Sequence, residues 1–69
     1  MDEWQEHCPI DEEEWPVQRQ AWRSGWEYRM EHGPGKPDRE TILEMVERPT
    51  LLSVWLQGFA AADNAERPA

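Results

Sequence analysis

Trp22-Arg23-Ser24-Gly25-Trp26 returns thirty-three residues later as Trp55-Leu56-Gln57-Gly58-Phe59, and this doubled Trp-x-x-Gly-aromatic pattern decides the fold. On a helix the two aromatics of each copy stand at i and i+4 on one face, with the glycine one position before the second. Each copy is then a flat aromatic ridge beside a notch. An interior helical glycine costs about 1 kcal/mol relative to alanine, so a helix that keeps one gains something from close backbone approach. Two copies within 69 residues read as internal duplication. Antiparallel packing of two such helices brings the ridges and notches together.

Working outward from the first copy, Val17, Ala21, Trp22, Gly25, Trp26, Arg29 and Met30 form a notched apolar stripe at helical spacing. Carboxylates at Asp11, Glu12, Glu13 and Glu14 precede Pro16, which suits the first helical position, where its missing N–H costs nothing and negative charge favours the helix start. The predicted helix covers 14–32 and stops at His32-Gly33, with Gly33 as a left-handed cap. Gly33-Pro34-Gly35-Lys36-Pro37 breaks the chain. Asp38 can cap a second helix over 38–48, whose Ile42, Leu43 and Val46 mark one face. Pro49 interrupts it and pushes Arg48 away from helical geometry, so a separate helix over 50–62 is expected, carrying Leu51, Leu52, Trp55, Leu56 and Phe59. Residues 63–69 read as a frayed tail. Residues 1–12 read as an irregular acidic arm, because Cys8-Pro9 favours extended backbone. No useful strand alternation occurs. The class is all-α: a small two- to three-helix bundle, a helical hairpin with a proline-interrupted second half, plus the arm. Its expected core is Trp22, Gly25, Trp26, Leu52, Trp55, Gly58 and Phe59, with Trp15 and Tyr28 as further aromatic anchors.

The chain makes one domain near the lower size limit for a single core. Large aromatics compensate, since each can bury roughly 150 to 250 Å²; the small core is compatible with a monomer or a homodimer. One cysteine, Cys8, excludes an intramolecular disulfide, and the acidic start lacks the basic, apolar character of a secretory leader, so a reducing cytoplasm is expected. No apolar run reaches a membrane span; Leu51 to Ala62 is broken by Ser53, Gln57 and Gly58.

Formal charge is -8, and its placement matters more than its size. Asp2, Glu3, Glu6, Asp11, Glu12, Glu13 and Glu14 crowd the first fourteen residues with no lysine or arginine among them. Residues 15–37 are net basic through Arg19, Arg23, Arg29 and Lys36 against Glu27 and Glu31. A chain so acidic is repelled by phosphate backbones and attracted to basic surfaces, so direct nucleic-acid binding is not expected. Catalytic and metal chemistry find little support. His7, Cys8, Glu3, Glu6 and His32 lack metal-site spacing, Cys8 has no base arranged beside it, and the carboxylate run lacks the glycine turn and alternating ligands of a calcium loop. No enzyme activity, cofactor or metal is expected.

Cys8-Pro9-Ile10 followed by Ala21-Trp22-Arg23-Ser24-Gly25-Trp26 resembles the Cys-Pro-aromatic, spacer, Ala-Trp-x-x-Gly-Trp signature of ribosome modulation factor and its small phage- and plasmid-encoded relatives. The resemblance covers residues 8–30 and implies a tiny helical protein; for the ribosomal member it implies binding to rRNA-rich surfaces in stationary-phase hibernation. Ile10 replaces the aromatic, the spacer is longer, and the charge sign is opposite. In size and acidity the chain resembles small phage-encoded inhibitors of host defence, several anti-CRISPR proteins among them, which would place it in a host cytoplasm. The expected function is therefore inhibition of a nucleic-acid-binding machine by DNA mimicry on its basic surface, with a ribosome-associated regulator as the alternative. The expected partner, a protein or nucleoprotein complex, meets Asp2, Glu3, Glu6, Asp11, Glu12, Glu13 and Glu14, and a second row at Glu40, Glu44 and Glu47 whose i, i+4, i+7 spacing shares a helix face. Trp4 and Trp15, if exposed, add apolar anchoring.

Overall fold

The short connection before Pro16 sets the first long helix. In the computed structural model, which describes residues 4–66, Asp11 turns the chain: its carboxylate Oδ1 accepts from the backbone N–H of Glu13 at 2.7 Å and of Glu14 at 3.3 Å, and the N–H of Trp15 donates to its carbonyl. Helix α2 (Pro16–His32) follows, with Pro16 in its first turn and Trp15 at the N-cap. A four-residue helix α1 (Trp4–His7) precedes it, α3 (Arg39–Met45) comes next, and a 3₁₀ turn at Pro49–Leu51 leads into α4 (Leu52–Glu66). No strand occurs among the described residues, so the fold is all-α. Its Cα radius of gyration is 11.4 Å, near the ~11 Å of a folded domain this long.

Helices α2 and α4 form the principal interface. The glycines set its closeness. A Cβ on Gly25 would strike the Trp55 carbonyl and lie 2.9 Å from the Phe59 nitrogen; a Cβ on Gly58 would strike the Trp22 carbonyl and lie 2.7 Å from its carbon. The first aromatic of each copy thus lays its backbone in the other copy's notch. Beside these crossings the rings stack within each copy: Trp22 on Trp26 with centroids 5.5 Å apart, Trp55 on Phe59 at 5.7 Å. Trp22, Gly25, Trp26, Trp55, Gly58 and Phe59 are all buried, Trp55 completely. The Trp55 indole N–H donates to Ser24 Oγ at 3.2 Å, so the most buried indole keeps a partner.

Several expectations need correction. The N-terminal stretch is not wholly irregular: α1 forms, the Cys8 N–H donates to the Trp4 carbonyl at 2.9 Å, and Trp4 is 5% exposed, joining Trp22, Trp26 and Ala62 in one cluster. Trp15, expected as a core anchor, is 53% exposed, because the N-cap position at the head of α2 lies outside the α2–α4 contact. Leu52 is only half-buried and Leu51 takes the buried place, since the tighter 3₁₀ turn at Pro49–Leu51 shifts the phase of the apolar stripe. Helix α4 runs on to Glu66 rather than fraying from residue 63, held by Ala62, which is fully buried, and by Asp63, which accepts from Arg29 of α2 at 3.1 Å. Gly33 has positive φ, 84°, but its ψ of -167° is extended rather than left-handed helical; Pro34 after it excludes helical ψ.

Asp38 caps α3 as its position predicts, its Oδ1 accepting from the Thr41 N–H at 2.9 Å. Ile42 is buried against Trp55 and Phe59. The helix ends at Met45, earlier than the expected 48: Val46 and Arg48 are extended, and Pro49 opens the 3₁₀ turn.

Candidate partner-binding surface

The expected binding residues fall into three structural settings. Asp2 and Glu3 lie outside the described residues. Glu6 is exposed on α1, and Asp11, Glu12, Glu13 and Glu14 are exposed in the turn that enters α2. Two of these carboxylates also hold structure. Asp11 organises the turn as described, and Glu12 Oε2 pairs with Arg19 Nη1 at 3.2 Å. Glu13 and Glu14 present their side chains to solvent with Trp15 beside them, next to the start of α2, where a carboxylate is favoured by the helix dipole.

Glu40, Glu44 and Glu47 do not form one row. Glu40 and Glu44 share a face of α3, but Glu47 lies beyond its end in the extended link Val46–Arg48, where helical spacing no longer applies. All three are exposed. Trp4 offers no exposed anchor, whereas Trp15 does.

The arginines of α2 are occupied by acids and rings of the chain itself. Arg19 pairs with Glu12, Arg23 with Glu27 one turn on, and Arg29 with Asp63, whose side chains are only 11% and 22% exposed. The guanidinium carbons of Arg19 and Arg23 also lie 4.7 and 5.0 Å from the Trp4 ring centroid. Three of the four cations in the net basic stretch 15–37 are thereby paired within the chain, Lys36 is exposed, and Glu13, Glu14, Glu40 and Glu44 are exposed as well. A short exposed carboxylate pair such as Arg23–Glu27 contributes little to stability, but it does quench a local positive field.

No group of His, Cys, Asp and Glu among the described residues is placed to hold a metal ion. Cys8 is half-buried, its thiol 3.9 Å from the Ile10 carbonyl oxygen. Among the described residues no helix is long and apolar enough to cross a membrane. No family model, curated protein or solved structure matches the chain.

The buried role of Trp4 is the residue-level feature that the acidity of the arm obscured. Its signal was present: Trp4 and Cys8 stand at i and i+4, with Ile10 two residues on, an apolar edge inside a run of acids. Seven carboxylates in fourteen residues outweighed that edge in composition, yet the described acids stay exposed while the large apolar area of the Trp4 indole is buried.

Proposed function

We propose that the protein is an acidic binding module that occupies a basic, nucleic-acid-binding surface of a protein or nucleoprotein complex and inhibits it by competing with nucleic acid. The observation that carries this reading is the sorting of charge: the α2 arginines are paired with carboxylates, Arg19 and Arg23 also lying over the Trp4 ring, while Glu13, Glu14, Glu40 and Glu44 are exposed. Trp15, half-exposed beside Glu13 and Glu14, supplies the apolar or cation-binding anchor that such interfaces concentrate in a few residues. The resemblance to ribosome modulation factor weighs on the scaffold side. The Trp22, Gly25 and Trp26 that carry it are packed against α4.

Recovery on the tagged protein from nuclease-treated bacterial lysate tests the proposal. The expected outcome is a basic complex whose retention falls steeply between about 50 and 200 mM salt, competes with duplex DNA, and drops at least tenfold when Glu12, Glu13 and Glu14 are changed to lysine. Recovery of ribosomes, with loss on substitution of Arg19, Arg23 and Arg29 and no effect of the acidic changes, would replace this reading with the ribosomal one.

A further inference from the structure

Helix α3 leans on α4 and leaves a gap along α2. Its buried Ile42 packs against Trp55 and Phe59, and the extended link that begins at Val46 then carries the chain to Leu51 of the 3₁₀ turn. Two hollows open in the gap, of about 260 and 320 Å³, and both are lined by Gln20, Ser24 and Met45, so they form one groove. The first hollow is walled by Val17 and Ala21 of α2 and by Met45, Val46 and Leu51 opposite. The second runs beside Tyr28 and ends at Glu31 and His32. Along α2 the lining recurs at Val17, Gln20, Ser24, Tyr28 and Glu31, three and four residues apart, which is a single helix face. From Val17 to Glu31 that face is roughly 21 Å long. Met45 stands 38% exposed in the middle of the groove, and its unbranched thioether can adapt to what it meets.

We propose that this groove docks a basic amphipathic helix of a partner protein, with the helix's apolar row entering between Val17 and Met45 and its cations meeting Glu31 and Glu47. Charge chooses the occupant. With histidine counted as neutral, the lining carries Glu27, Glu31 and Glu47 against Arg23, and Arg23 is paired with Glu27. Two further carboxylates therefore border the apolar wall. A helix with lysine or arginine beside its apolar row matches both features, whereas one flanked by acids is repelled. A second copy of this chain would bring another net charge of -8 and the same two carboxylates. The chain outside the described residues is three residues at either end, which fully extended reach about 10 Å, half the length of the groove. About 14 residues of helix match the α2 face and present one apolar row at i, i+4, i+7 and i+11. None of Glu12, Glu13 and Glu14 lines the groove, so it takes such a helix whether or not those acids compete with nucleic acid.

The full-length protein and a labelled peptide of about 14 residues, with leucine at i, i+4, i+7 and i+11 and lysine and alanine between, provide the test. One control peptide scrambles the same residues, and another carries glutamate for lysine. The expected result is saturable binding of the leucine-lysine peptide, at least about fivefold tighter than its scramble, and none of the glutamate peptide. Met45→Ser and Val17→Ser should each weaken it at least about fivefold, since each removes apolar surface that the bound helix covers. Glu31→Gln with Glu47→Gln should weaken binding at low salt and flatten its salt dependence. Met30→Ser, at a similarly exposed methionine outside the groove, should leave it unchanged, as should Glu13→Gln with Glu14→Gln. In the wild type, without any substitution, peptide should shift the amide resonances of Ser24, Met45 and Val46 most. Absence of saturable binding overturns the proposal, as does equal binding of the scrambled or glutamate peptide. So do shifts centred on α1 or on Glu13 and Glu14, or self-association of the chain that Met45→Ser abolishes, which would give the groove to a second copy.

Discussion

Two glycines control the packing distance at the residue scale. Gly25 and Gly58 sit where the opposing backbone passes, and neither obstacle is the flexible end of a side chain that can swing aside. Gly25→Ala or Gly58→Ala must therefore push the helices apart, and each is expected to cost about 3 kcal/mol or more, at the upper end of overpacking effects and much of the stability of so small a domain. Among the described residues a Cβ on Gly35 meets nothing within 4 Å, so Gly35→Ala should leave the urea midpoint nearly unchanged or slightly raised. Equal midpoints for all three variants would remove the close-approach account. These two positions were legible in the sequence because glycine inside a helical aromatic stripe has few other uses. Their partners were not, since only the register of α4 on α2 decides that Gly25 meets Trp55 and Gly58 meets Trp22.

At the scale of elements, termini and cross-ties matter. Asp38 begins α3 by accepting from Thr41, and those hydrogen bonds, side-chain first, lower its pKa below the ordinary 3.8. A carboxyl with a folded pKa below its unfolded one stabilises fully above the unfolded value and loses that contribution as pH falls through the folded one. Asp38→Ala should therefore lower the urea midpoint at pH 7, with the gap to wild type closing as the pH is taken below the usual aspartate range. A gap that persists in strong acid would show that the capping carboxylate is not its source. The tie between Arg29 and Asp63 spans α2 and the last turns of α4 in a mostly buried setting. Asp63→Ala is expected to cost about 2 kcal/mol, the usual scale for a hydrogen bond to a charged group, and to speed amide exchange between Asp63 and Glu66. Helix existence was readable from Pro16, Asp38 and Pro49. Helix ends were less so: α4 outlasts its predicted end because Ala62 and Asp63 gain tertiary contacts, and α3 ends early because Pro49 has no N–H for the Met45 carbonyl and holds Arg48 extended.

Over the whole molecule, the net charge of -8 opposes compaction, since acids outnumber the arginines that pair with them. Raising salt from about 10 mM to about 0.5 M shortens the screening length several-fold and should raise the thermal midpoint. A midpoint that falls steadily with salt would instead mean that the ion pairs outweigh the repulsion. The sequence alone determined the helical class, the breaks at Gly33–Pro37 and Pro49, the duplicated packing motif and the acidic character. Those follow from local sterics, spacing and composition, which act within a few residues. Only the tertiary structure decided that Trp4 belongs inside and Trp15 outside, that Glu47 leaves the face of Glu40 and Glu44, and that the arginines of α2 are matched by acids and a ring of the same chain. Each of those depends on which surfaces meet when α4 folds back on α2, and burial is a property of the pair rather than of either segment.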